Sequence, residues 1–152
     1  MGVIKAVCTS DIKGIQKTEQ AVIELRPNWG IEGDAHAAPW HRQVSLLPYE
    51  QIEAFKNRGA EVGHGAFGEN IIVEGFDLKS LPIGTRFVCN DVVLELTQIG
   101  KQCHAHCAIY RQMGDCIMPR EGVFARVLKG GEIHVGDEVA LLPPLEDPPL
   151  RA

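Results

Sequence analysis

The chain has no long apolar run, no excess of positive charge and no paired-cysteine motif. A membrane-spanning helix needs about 18 or more consecutive apolar residues, and no such run occurs, so no membrane partner is expected. Lys and Arg number 15 against 20 Asp and Glu, for a net charge of −5. A general nucleic-acid binder would carry a basic excess, so no nucleic-acid partner is expected either, although a local basic site for an anionic ligand stays open. The N-terminus, Met1-Gly2-Val3-Ile4-Lys5, lacks the apolar core of a signal peptide. That points to the cytoplasm, where thiols stay reduced. Five cysteines are an odd number and contain no CxxC pair, which argues against both a full disulfide framework and the common zinc modules.

What is present suits one domain of 152 residues with its own core. We expect that domain over residues 1–143, followed by a proline-rich tail, 144–152. Short apolar and β-branched segments predict strands at Val3–Val7, Ala21–Leu25, Val44–Leu47, Asn70–Val73, Arg86–Cys89 and Val92–Leu96. Asn90-Asp91 predicts a hairpin between the last two. Asn28–His41 reads as a long loop. Pro48 opens an expected helix through Asn57, with Ile52 and Phe55 on one face and Gly59 after it. Cys103–Arg111 has a helical reading, Gly122–Leu128 is ambiguous, and Val135–Leu142 is expected to end the last strand. Two segments, Leu81–Val88 and Glu132–Val139, each place a glycine just before a strand. Such turns recur in small barrels, where strands bend sharply. The sum is a mainly β fold with one or two helices packed on it.

Four segments carry candidate chemistry. In Gly100-Lys101-Gln102-Cys103-His104-Ala105-His106-Cys107, with Cys116 beyond, two thiols and two imidazoles crowd beside a cation. Such groups ligate transition metals, and a neighbouring cation favours a nucleophilic thiolate at Cys103. Cys107 and Cys116 admit a zinc site or a redox or persulfide partner for Cys103. In Gly33-Asp34-Ala35-His36 followed by His41-Arg42-Gln43-Val44, a carboxylate, two imidazoles and a guanidinium precede a buried strand. Arg42 suits a phosphate or oxyanion, whereas a turn-capping Asp34 and a surface-paired Arg42 are the plainer alternative. Gly65-Ala66-Phe67-Gly68-Glu69-Asn70 lets backbone amides approach a ligand, or is simply a glycine-rich turn. Arg126 sits in an apolar run, so its charge needs a partner, either a ligand or an acid such as Glu121.

Taken together and in order, these segments resemble the MOSC domain, named after the C-terminal region of molybdenum-cofactor sulfurases. The resemblance rests on Gly33-Asp34-Ala35-His36 with Arg42 to Leu47, Phe67-Gly68-Glu69-Asn70-Ile71, Leu94-Glu95-Leu96-Thr97 leading to Cys103, and Gly122 to Leu128 with Gly136-Asp137. It spans most of residues 3–142. It implies a β-barrel-like MOSC fold and a pocket for the molybdenum cofactor (molybdopterin). It implies one cysteine, matched here by Cys103, that holds sulfur or ligates molybdenum. Asp34, His36, Arg42, Gln43, Glu69, Asn70 and Arg126 fall on family motif positions near that pocket, and Lys101 adjoins Cys103.

No aminotransferase-like domain accompanies these segments, so no pyridoxal phosphate site is expected in this chain. The sulfur would have to come from a partner such as a cysteine desulfurase, or pass to a molybdoenzyme. The leading expectation is a cofactor-binding protein that carries or transfers sulfur, or ligates molybdenum, through Cys103 in cofactor biosynthesis or maturation. A molybdenum-dependent reductase of N-hydroxylated compounds, fed by an electron-donor partner, is the first alternative. A non-catalytic Cys/His metal or redox-sensing module is the second.

Overall fold

The computed structural model describes residues 1–13, 15–101, 113 and 116–145. The strands are β1 (Gly2–Thr9), β2 (Thr18–Gln20), β3 (Val22–Arg26), β4 (Gly30–Ile31), β5 (Val44–Pro48), β6 (Ile71–Glu74), β7 (Arg86–Cys89), β8 (Val92–Ile99), β9 (Val123–Lys129), β10 (Gly131–His134) and β11 (Glu138–Leu142). Two α-helices, α1 (Tyr49–Asn57) and α2 (Met118–Glu121), accompany them among the described residues. Seven strands close into a barrel in the order β11–β7–β8–β9–β5–β6–β1, with β1 returning to β11. Closure removes the exposed sheet edges that an open sheet would leave. β10, β3 and β4 form a smaller sheet beside it.

Alternation along the strands builds two cores. Leu46, Ile71, Val73, Leu96, Val123 and Ala125 point into the barrel. Their neighbours Leu47, Ile72 and Phe124 point out, under Ile52 and Phe55 of α1. β5 is therefore buried on both faces, which is why Val44–Pro48 reads as a continuous apolar run rather than an alternating one. β5 and β6 run parallel, and α1 lies in the connection between them, as a parallel pair requires.

Among the described residues the expected strands and the helix after Pro48 are found with small shifts, while Gly30–Ile31 of the expected Asn28–His41 loop pairs as β4; the expected Cys103–Arg111 helix and most of the 144–152 tail lie outside the described residues. The helix starts at Tyr49, because extended Pro48 ends β5 and caps it. The ambiguous 122–128 stretch is strand β9: its Val and Phe side chains have a core on each side to fill. The expected last strand is interrupted by a turn at Gly136, at φ +94°, before β11. Gly84 makes the same turn before β7 at the same φ. The two similar segments thus become neighbouring antiparallel strands. Asn90 takes the left-handed conformation in the β7–β8 hairpin, where a short polar side chain is tolerated.

Candidate functional site

β8 runs past its expected end at Leu96 to Ile99, and the register against β9 slips at Thr97. Such a bulge re-aims the residues after it. Thr97 Oγ1 donates to the backbone oxygens of His41 and Phe124, tying the end of the long loop to the barrel. Gln98 then meets that loop: its Oε1 accepts from Arg42 Nε at 3.2 Å and lies 2.9 Å from His41 Nε2. The Arg42 guanidinium stacks over Phe124 at 5.1 Å. Its terminal nitrogens have no hydrogen-bond partner among the described residues. The next residues are pinned as well. Gly100 N–H donates to Gly122 O at 2.7 Å, and Lys101 N–H to Pro119 O at 3.2 Å. A side chain at Gly100 would meet Pro119 O at 2.3 Å. These bonds hold the chain as far as Lys101, two residues before Cys103 in the sequence. Cys103 itself lies outside the described residues, as do His104, His106 and Cys107.

The other end of the loop is organised by Lys17, a residue the sequence reading did not single out. Its Nζ donates to Asp34 Oδ1 at 2.7 Å and lies 3.0 Å from His36 Nδ1. Both side chains of the ion pair are buried. Asp34 also accepts the N–H groups of Ser10 at 3.1 Å and His36 at 3.2 Å. Burial opposes ionisation of Asp34. The Lys17 hydrogen bond and charge and the Ser10 N–H outweigh it and hold the carboxyl well below the usual carboxylate range. Trp40 joins the two ends. Its Nε1–H donates to His36 O at 2.8 Å, and its ring meets that of His41 edge-on at 5.8 Å. No local sequence signal points to Lys17, because its partners lie 17 and 19 residues away.

Three expected ligand contacts are occupied with building the fold. Asn70 Oδ1 accepts from Ser45 N–H at 2.9 Å and from Ser45 Oγ at 3.1 Å, while its Nδ2 donates to Cys8 O at 3.1 Å. That one side chain ties β5, β6 and β1 together. Glu69 accepts Gly65 N–H and Phe67 N–H, both at 2.9 Å, and closes the glycine-rich turn. Burial pushes its carboxyl up, and those two N–H groups partly offset the shift. Gln43 accepts Val127 N–H at 2.8 Å and reaches Asn28 at 3.3 Å. All three are buried. Arg126 is exposed and ion-paired with Glu95 at 2.6 Å, so its partner is an acid on the facing strand rather than Glu121. Asp34 belongs with the organisers, since its oxygens hold the loop. His36, Arg42 and Lys101 are the expected residues left half-buried and not taken up in an ion pair across the strands, with His41 and Gln98 beside Arg42.

The cysteines outside the motif are inert by environment. Burial first, with nearby Glu69 and Glu19, pushes the Cys8 thiol up to about 12. Burial first, with Asp137, pushes Cys89 up to about 11. Neither forms an appreciable thiolate near neutral pH. Among the described residues, a half-buried guanidinium with free donors, an imidazole and an amide carry the site's polar chemistry. That donor set suits an anionic, oxygen-rich ligand.

The MOSC domain model matches residues 32–140. Comparison with curated protein sequences gives no match. Among solved structures, the chain is similar to the YuaD protein from Bacillus subtilis, with a TM-score of 0.71 at 18% identity over 93% of this chain and 96% of that one. It is similar to YiiM from Geobacillus stearothermophilus, with a TM-score of 0.64 at 21% identity over 93% and 73%. YiiM from Escherichia coli scores 0.63 at 16% identity over 95% and 72%. At these identities the structural likeness speaks for the fold. The family model covers most of the chain, from the Asp34 loop to β11, and the closed barrel agrees with it: this chain belongs to the MOSC domain family.

Proposed function

We propose that this protein binds the molybdenum cofactor, or a molybdopterin-type intermediate of it, on the outer face of the barrel where β8 ends. Cys103 is the thiol that ligates molybdenum or carries sulfur there. One observation carries the reading: Arg42, His41 and Gln98 gather at the strand end that runs through Lys101 into Cys103. When bound, the cofactor supplies the redox and sulfur chemistry that protein side chains lack. This chain's part is to hold and orient it. Arg42 and Lys101 neutralise phosphate and oxo groups through charge-assisted hydrogen bonds. Gln98 fixes the Arg42 guanidinium by its Nε, and stacking on Phe124 restricts it further, so less side-chain entropy is lost on binding. Trp40 keeps the His36 and His41 ends of the loop on one surface.

In this reading the protein works in the cytoplasm and exchanges sulfur or cofactor with a partner, a cysteine desulfurase or a molybdoenzyme. The experiment is anaerobic reconstitution with cofactor, followed by measurement of bound molybdenum and pterin. Wild type is expected to retain both, and Cys103→Ala to lose molybdenum. Retention of neither by wild type would refute the reading. Equal retention by Cys103→Ala would refute the role of the thiol.

A further inference from the structure

The Lys17–Asp34–His36 cluster holds a constraint that neither the family match nor the cofactor reading uses. A lysine ammonium has three donors and no acceptor. Lys17 Nζ is ion-paired with Asp34 Oδ1 at 2.7 Å, with both side chains buried. The His36 nitrogen 3.0 Å from it, Nδ1, must therefore present its lone pair. A neutral imidazole that accepts at one nitrogen donates from the other. That arrangement requires the proton on Nε2, and the side chain is 34% exposed.

We propose that Lys17 is a positioning residue of the site: held by Asp34, it fixes His36 in the Nε2–H form, as a neutral donor to an anionic oxygen of the ligand. The donor role rests on the cofactor reading; the tautomer does not. Lys17 is itself set by the glycine-rich turn. Its backbone N–H donates to Gly65 O at 2.9 Å, and a Cβ at Gly65 would lie 2.1 Å from Lys17 O. Glu69 holds Gly65 from the other side at 2.9 Å. The Gly65–Glu69 and Asp34–His36 segments, 29 to 35 residues apart in the sequence, are therefore parts of one device centred on Lys17.

The substitution Lys17→Met gives opposite expectations for the two ring nitrogens. Without the ammonium, His36 Nδ1 is left with Asp34 Oδ2 at 3.7 Å. A carboxylate only accepts, so the proton moves to Nδ1. Histidine rings labelled with heavy nitrogen report this directly through long-range proton–nitrogen NMR correlations at about pH 8, where an unperturbed imidazole is neutral. His36 is assigned by its loss in His36→Gln. The expected result is Nε2–H in wild type and in Lys17→Arg, and Nδ1–H in Lys17→Met. An Nδ1–H ring in wild type, or an unchanged ring in Lys17→Met, would overturn the proposal. Should Lys17→Met not fold, the wild-type and Lys17→Arg spectra decide: Nδ1–H in either overturns it. Calorimetry with inorganic molybdate tests the underlying reading separately. We expect His36→Gln to weaken binding about tenfold, the worth of one hydrogen bond to a charged group. Absence of molybdate binding with the expected tautomers would count against the cofactor reading alone.

Discussion

At the residue scale, burial marks Cys8 and Cys89 as packing residues. Cys8 and Cys89 are buried, with thiols pushed up to about 12 and about 11, so native protein should keep both unmodified by iodoacetamide at about pH 7.5. Mass spectrometry after brief alkylation should find label at Cys103 and none at Cys8 or Cys89 until denaturant is added. Label on Cys8 in the native state would mean that the β1–β6 region opens. Asp34 makes a prediction about acid. Its folded-state carboxyl is held well below the ordinary value near 4. The unfolded chain therefore binds the extra proton as pH falls, and the stabilisation is complete above about pH 5 and lost below it. Urea midpoints of wild type should fall between about pH 5 and pH 2 more steeply than those of Asp34→Asn. Parallel limbs would show that the Lys17 pairing contributes no pH dependence. Lys17→Met leaves a carboxylate buried without its partner and should cost about 3–5 kcal/mol in urea unfolding, if it folds at all.

At the element scale, polar ties hold the strands that carry the loop. Asn70→Ala removes the bonds to Ser45 and Cys8 that join β5, β6 and β1. Denaturant unfolding should register a loss of roughly 2–4 kcal/mol, since buried groups lose their partners. Gly65→Ala sets a Cβ against Lys17 O at φ +88°. The left-handed backbone alone costs about 1–2 kcal/mol, and the clash adds to it. A fully stable Gly65→Ala would refute the close approach. Much at this scale was readable in the sequence: Asn90-Asp91 marked the hairpin, Gly84 and Gly136 marked matching turns, and Ile52 with Phe55 marked the face of α1. β9 was not readable. Its apolar residues serve a core on each side, so Val123–Val127 shows no period that separates strand from helix. Glu69 and Asn70 were visible as unusual residues, yet their use in the fold was not, because ligand-binding and strand-tying polar groups look alike until their partners are placed.

At the scale of the whole molecule, barrel closure decides which charges can act together. Arg42 and Arg126 are equivalent as residue types, and both suited an anion in the sequence. The barrel gives Arg126 to Glu95 across the β8–β9 ladder. It gives Arg42 a flat apolar support on Phe124 and leaves its terminal nitrogens without partners among the described residues. Lys17 and Gln98 joined the site only once distant segments were folded against one another. Their partners are reached through β1, the β8 bulge and the long loop, and no short motif spans them.

The central claim is that an anionic cofactor sits beside Arg42 at the end of β8. Equilibrium binding of molybdopterin to Arg42→Ala and Arg126→Ala under anaerobic conditions tests it most directly. Loss of a charge-assisted contact should weaken Arg42→Ala by roughly 10- to 100-fold, while Arg126→Ala stays within about twofold of wild type, as expected for an exposed ion pair outside the site. The reverse order, or equal losses, would contradict the account.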